Sequence, residues 1–179
     1  VSGPACLVHA LAEPLIEHPA LNAVWTPDGV VLVTGVHIGV AVALQDGLIA
    51  PALLDCNLFD LVQTAAALED LVSRTRAGRL RAVELASPTF TLSNLGMYDV
   101  ASFAAIVIPP QVAILATGRA IKRGVAIGDE LVVRSVMTAT LSADHRAVDG
   151  AQAARFLASV KARLEGFGWD DRPSNSNRG

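Results

Sequence analysis

The sequence predicts a mixed α+β domain, and three observations carry that reading. Apolar residues recur at three- and four-residue steps in three separated stretches, and runs rich in β-branched residues, bounded by Asp-Gly pairs, fill the intervals. The order along the chain is helix, several strands, helix, further strands and a final helix. At 179 residues with 52% apolar content, the chain is long enough to bury one core without disulfide or metal staples.

The first helix is expected over residues 5–17, where Leu7, Val8, Leu11, Leu15 and Ile16 share a face; Pro14 predicts a kink in its last turn and His18-Pro19 its end. Strands follow at 30–36, 37–44 and 48–54, with turns at Asp28-Gly29 and Asp46-Gly47. A helical period returns over 57–78, with Leu58, Leu61, Val62, Ala65, Leu68 and Val72 on one stripe, Asn57 as N-cap and Gly78 as stop. Short strands are expected at 89–93, 106–108 and 112–117, the last two flanking Pro109-Pro110. The longest strand, 131–142, opens at the Gly128-Asp129 turn. After Asp149-Gly150 a helix is expected over 151–164, with Ala154, Phe156, Leu157, Val160 and Leu164 inward. The folded domain would then occupy 1–165, followed by a polar, partly disordered tail over 166–179.

Composition narrows the function. A formal net charge of −3 offers no basic surface to neutralise a nucleic-acid backbone. Mean hydropathy is positive, +0.46, yet the two stretches free of charged residues, 29–45 and 101–118, fall short of the roughly 20 residues of a spanning helix and carry glycines or the double proline. They read as buried strands, so no membrane partner is expected. Apolar content of this kind needs burial beyond the core, which points to a subunit interface and an oligomer. Cys6 and Cys56 stand 50 residues apart outside any ligand spacing, as reduced, buried thiols of a cytoplasmic protein would. The first residues show no secretory signal pattern.

Among the histidines, His9 and His18 read as surface or interface residues and His37 as a satisfied core residue. His145 stands apart, closing an apolar strand in Asp144-His145-Arg146, four residues before Asp149. Strand ends of this kind present side chains to clefts, although the same spacing also suits a capping or ion-pair arrangement. Ser93-Asn94-Leu95-Gly96 is a second strand end, and equally the pattern of an ordinary turn. Phosphate loops, nucleophile elbows and metal-ligand clusters are missing. A histidine base without a protein nucleophile suits a reaction whose nucleophile arrives on the substrate.

The string 89–97 (TFTLSNLGM), then 109–115 (PPQVAIL), then 144–150 (DHRAVDG) resembles the catalytic domain of dihydrolipoamide acyltransferases, core components of the 2-oxo acid dehydrogenase complexes. His18-Pro19 with 22–25 (NAVW), and 38–43 (IGVAVA) leading into 46–51 (DGLIAP), agree with it, and the likeness covers about residues 5–165. The resemblance implies a chloramphenicol acetyltransferase-like mixed sheet flanked by helices, assembled as a homotrimer with the site in a channel between neighbours. A larger cage is left open by the polar C-terminal segment. It implies coenzyme A and a lipoyl group, the latter carried on a domain outside this chain, as the thiol carriers. Decarboxylase and dihydrolipoamide dehydrogenase components would be the partners, in the cytoplasm or a mitochondrial matrix. On the same footing His145 would be the general base, Ser93 of a neighbouring subunit the oxyanion donor, and Asp149 an orienting residue. Asp144, Arg146 and Asn94 keep a structural reading, and Gly47, Leu48 and Pro51 fit either a channel wall or a bulged hairpin. The resemblance also implies that the lipoyl and subunit-binding domains and the first strand and helix of the catalytic domain lie outside this chain. Residues 142–151 resemble the pyruvate and branched-chain members more than the 2-oxoglutarate ones, with the branched-chain reading slightly favoured. A non-catalytic scaffold subunit and a free-standing coenzyme A-dependent acyltransferase are the alternatives.

Overall fold

A computed structural model describes residues 2–167. Helix α1 (Gly3–Glu17) starts two residues before the expected position and runs uninterrupted through Pro14. Its Val8, Leu11 and Leu15 are fully buried and form one wall of the core. A 3-10 turn, Pro19–Leu21, leads into the hairpin β1 (Ala23–Thr26) and β2 (Gly29–Leu32). The expected strand over 30–36 therefore stops at Leu32. The side-chain amide of Asn22 donates to the carbonyls of Val33 and Gly35, both at 2.9 Å, and so takes the acceptors a longer ladder would have used.

The expected strand 37–44 is two strands in two sheets. β3 (Ile38–Val40) is buried in the main sheet, whereas β4 (Val42–Leu44) leaves it to pair with β5 (Gly47–Ile49) across the Asp46-Gly47 turn. β6 (Ala52–Leu53) returns to the free edge of β3. Asn57 does not cap the next helix but sits in a 3-10 turn, Cys56–Leu58. The cap of α2 (Leu61–Arg76) is Asp60, whose carboxylate accepts from the Gln63 N–H at 2.7 Å while the Gln63 side chain accepts from the Asp60 N–H. This later start rotates the stripe: Leu68 and Leu71 are buried, and Leu58 and Val62 face outward. Gly78, at φ +66°, ends the helix as expected.

A short helix α3 (Ala82–Ala86), absent from the sequence reading, carries Glu84, which is 1% exposed. Two arginines close on it: Arg74 binds both its oxygens at 2.8 Å, and Arg81 binds it through its side chain and its backbone N–H. β7 (Phe90–Asn94) then enters the centre of the sheet. No strand forms at 106–108. Ile106 is 89% exposed, and the segment finds no ladder partner among the described residues. β8 (Ala113–Thr117), buried at all five positions, is followed by Gly118, where any Cβ would collide with the Ala101 carbonyl. The long strand expected over 131–142 is also divided. β9 (Ile121–Ile127), masked in the sequence by Lys122, Arg123 and Gly124, pairs with β10 (Glu130–Val136), while β11 (Ala139–Ala143) pairs with β8. Helix α4 (Gly150–Gly166) closes the fold, with Phe156 and Val160 buried and Ala154 exposed, its expected place taken by Ala153.

The main sheet has the order β11-β8-β7-β3-β6, with β7 parallel to both neighbours and the outer pairs antiparallel. The α+β reading is thus correct. One face of the sheet carries the core, where Phe90, Leu92 and Leu115 meet α1, α2 and α4. Phe90 and Phe156 lie with ring centroids 5.6 Å apart. Each such side chain contributes about 2 kcal/mol through removal from water. Cys6 and Cys56 are free and buried; burial pushes the Cys56 thiol up to about 12, and its Sγ donates to the Leu53 carbonyl. Among the described residues no helix is long and apolar enough to cross a membrane. The polar tail from residue 168 onward lies outside the described residues.

The arginine pair holds the Glu84 carboxyl well below the usual carboxylate range. Because its folded value is depressed, the stabilisation is complete above the unfolded value of about 4.3 and is lost as the pH falls below it. Glu84→Gln leaves Arg74 without its main counter-charge and should cost roughly 3 kcal/mol at neutral pH. Its acid limb should also be flatter than that of the parent, and denaturant melts between pH 3 and 7 check both expectations.

Candidate active site

His145 lies in the turn that joins β11 to α4. Asp144 donates its N–H to the Val112 carbonyl at 2.8 Å, fixing where β11 stops, and its own carbonyl accepts from Ala147 and Val148 to close the turn. Val148 is buried and anchors the far side. The His145 side chain is exposed, and no hydrogen-bond partner of its imidazole is found among the described residues. Its neighbours are the opposite. The Asp144 carboxylate accepts from the Arg146 N–H at 3.0 Å and from the Arg146 guanidinium at 2.5–3.1 Å, which lowers its carboxyl pKa to about 2. The ion-pair reading of these two residues is correct.

Asp149 caps α4. Its carboxylate accepts from the Gln152 N–H at 2.7 Å and its own N–H donates to the Gln152 side chain at 2.9 Å. The structure thus places Asp149 at the hinge between turn and helix, with its carboxylate engaged to the backbone rather than to the imidazole.

Ser93 is the last residue but one of β7, just before the chain bends. Asn94 accepts from the Gly96 N–H at 2.8 Å, the Leu95 N–H donates to the Thr117 carbonyl, and a 3-10 turn, Gly96–Tyr98, follows. Asn94 is a turn former, as read. Ser93 is half-buried, and its hydroxyl has no partner among the described residues. It shares a sheet face with Thr91, whose hydroxyl donates to the buried Gln111 at 2.6 Å.

The register settles which of these groups meet. β7 sets Ser93 opposite Ala116, near the end of β8, whereas antiparallel β11 sets Ala143 opposite Ala113, at its beginning. Ser93 and His145 therefore lie at opposite ends of the sheet, with one strand between theirs. At about 3.3 Å per residue and 4.8 Å per strand, their backbones are roughly 15 Å or more apart. One chain does not bring them together.

Of the other histidines, His37 is a satisfied residue: its Nδ1 accepts from the Asp55 N–H at 3.1 Å. His18 is not a surface group but a packing residue, bonded to Ser159 at 3.0 Å and edge-on to Phe156. Gly47 and Leu48 form the β4–β5 hairpin, with Leu48 66% exposed. The sequence reading missed the second partner of Arg146. Its guanidinium lies 4.0 Å from the centre of the Trp25 ring, a pairing across the chain that no local pattern announces.

The family model of the 2-oxoacid dehydrogenases acyltransferase (catalytic domain) matches residues 1–168. The chain belongs to that family. It is 36% identical over 159 residues to the dihydrolipoyllysine-residue acetyltransferase component of the pyruvate dehydrogenase complex of Rickettsia prowazekii, a match covering 89% of this chain and 39% of that protein. It thus spans about two-fifths of that relative. The acetyltransferase component of the acetoin cleaving system of Bacillus subtilis is likewise 36% identical, over 84% of this chain and 38% of its own length.

Among solved structures, the Azotobacter vinelandii dihydrolipoamide acetyltransferase superposes with a TM-score of 0.88 at 33% identity, covering 92% of this chain and 69% of that one. The cubic core of a pyruvate dehydrogenase multienzyme complex gives 0.87 at 34%, covering 91% and 68%. Chloramphenicol acetyltransferase shares the fold, with a TM-score of 0.56 at 18% identity over 91% of this chain and 78% of that one. The relatives named here are acetyltransferases of pyruvate dehydrogenase and acetoin systems, so the branched-chain preference is not supported.

Asparagine caps helices as well as aspartate does. Asp149→Asn is therefore expected to melt within about 0.5 kcal/mol of the parent, whereas Asp149→Ala should lose about 1 kcal/mol, as read by thermal unfolding.

Proposed function

We propose that this chain is the catalytic domain of an acyltransferase that moves an acetyl group between a dihydrolipoyl thiol and the thiol of coenzyme A, as the core of a 2-oxo acid dehydrogenase complex. One observation carries the assignment of residues. The work on the Azotobacter enzyme names a serine, a histidine and an asparagine in its catalytic mechanism, spaced 52 and then 4 residues apart, and Ser93, His145 and Asp149 repeat those intervals. The third position differs, Asp for Asn, and both side chains can make the cap seen here.

The imidazole and the hydroxyl, both without a partner among the described residues, suit the roles. His145 takes the proton of the attacking thiol, so that the thiolate sulfur bonds to the thioester carbonyl carbon. Ser93 donates a hydrogen bond to the oxygen that becomes negative. As the carbon–sulfur bond to the other carrier breaks, His145 returns its proton to the departing thiolate. The balance is one thiol consumed and one released. Imidazole is the side chain suited to taking up a proton in one step and giving it back in the next.

Because Ser93 and His145 lie at opposite ends of one sheet, the proposed site is built from two copies, each supplying one of them. A homotrimer satisfies this head-to-tail requirement by closing on itself. The cubic core among the similar structures supports a larger assembly, and the decarboxylase and dihydrolipoamide dehydrogenase components would be its partners.

Transfer of acetyl from acetyl-coenzyme A to dihydrolipoamide should be abolished in His145→Ala. Ser93→Ala should lower kcat about 100-fold with KM little changed. Trimers re-formed from a mixture of the two variants should regain activity, since some interfaces pair an intact Ser93 with an intact His145. Failure of mixed trimers to recover would sink the shared site, and a folded His145→Ala oligomer with full activity would sink the base.

A further inference from the structure

We propose that Trp25 is a positioning residue for His145, acting through Arg146. The inference rests on the reading of His145 as the base. His145 is held by its two sequence neighbours and by no partner of its own side chain among the described residues. Asp144 and Arg146 close a clamp around it, with the guanidinium Nε and Nη2 on the carboxylate and the Arg146 N–H on the same group. A clamp of two exposed or half-exposed residues could still swing as a unit. What stops it is the ring of Trp25, 4.0 Å from the guanidinium carbon, which fixes the plane of the fork against a flat, electron-rich face.

Trp25 is itself immobilised. Its N–H donates to the Pro110 carbonyl at 2.7 Å, it pairs with Val30 across the β1–β2 hairpin, and its ring packs against the core. The preceding residue, Val24, bridges to Gln111, which is 4% exposed and accepts from Thr91. Asp144 hangs from the next residue of the same strip, through its N–H to the Val112 carbonyl. The two ends of the assembly, Trp25 and Asp144, are thus tied to positions 110 and 112 of one segment, and Arg146 spans the gap between them. A shift of the ring would reach the imidazole through two rigid links. Reaction geometry is sensitive to such shifts, since displacements near 1 Å lower rates by up to about 100-fold.

The test uses the full chain with acetyl-coenzyme A and dihydrolipoamide as substrates. Trp25→Leu, which removes the π face but keeps an apolar side chain, should lower kcat roughly ten-fold while both KM values stay within about two-fold. Trp25→Phe should restore most of the loss. Arg146→Gln should lower kcat similarly, and adding Trp25→Leu to it should cost nothing more, because the link is already cut. Amide hydrogen exchange of residues 145–148 should quicken in Trp25→Leu and remain near the parent rate in Trp25→Phe, a readout that needs no turnover.

Equal losses in the Leu and Phe variants, multiplying losses in the double variant, or a folded Trp25→Leu protein with unchanged kcat and exchange would each overturn the proposal. Should Trp25→Leu not fold, the cycle is run with Trp25→Phe and Trp25→Tyr against Arg146→Gln, and kcat losses that are independent of Arg146 overturn it. A parent chain that shows the exchange response but no acetyl transfer would overturn the acyl-transfer reading and leave the mechanical link standing.

Discussion

The register of β8 is the constraint on which the rest of the molecule depends. This strand is buried along its whole length and is read from both sides, parallel by β7 and antiparallel by β11. A one-residue slip on either side would turn Leu115 or Leu92 out of the core and is therefore strongly opposed. Because the two neighbours run in opposite directions, the same pairing sends their C-terminal ends to opposite edges of the sheet. One end presents a serine and the other a histidine. Strand direction thus holds apart the two side chains that the proposed acyl transfer needs together.

Buried polar groups hold the loops that frame these ends, and nearly all of them are satisfied. Thr89 donates to Asn22, which in turn donates to two loop carbonyls; Thr91 donates to Gln111; Glu84 takes two arginines. The Thr89–Asn22 bond ties segments 67 residues apart and the Glu84 unit joins α3 to the end of α2; each would be costly to leave half-made. Among the described residues Thr117 is the exception, a buried hydroxyl without a partner. Its backbone carbonyl accepts from Leu95 directly after the Ser93 strand, so the residue is held through its backbone.

The elements legible in the sequence were those with a local cause. Helices α1 and α4, the Asp46-Gly47 and Gly128-Asp129 turns and the Gly78 stop all follow from periodicity or from a residue's own backbone preference. The failures share a different cause. Residues 37–44 and 131–142 each read as one strand because β-branched content does not say which sheet a residue joins, and the breaks at Ala41 and Met137 are set by partners far along the chain. Ile106 to Ile108 has strand composition but no neighbour to pair with. The α2 cap was readable, since Asp60 and Gln63 stand at capping-box spacing, yet the nearer Asn57 drew the boundary. His145 and Ser93 were visible as strand ends, and their roles came from resemblance. Their separation needed the register, and the Trp25–Arg146 contact needed the coordinates.

Cys56 shows what packing does to the reactivity of a thiol. Thiol–disulfide exchange requires a thiolate and an open line of approach. With its proton held to about 12 and its sulfur sealed beneath α1, Cys56 offers neither. Under the proposed acyl-transfer chemistry, a dithiol carrier at the surface would find Cys56 inert and could not be captured by it as a mixed disulfide.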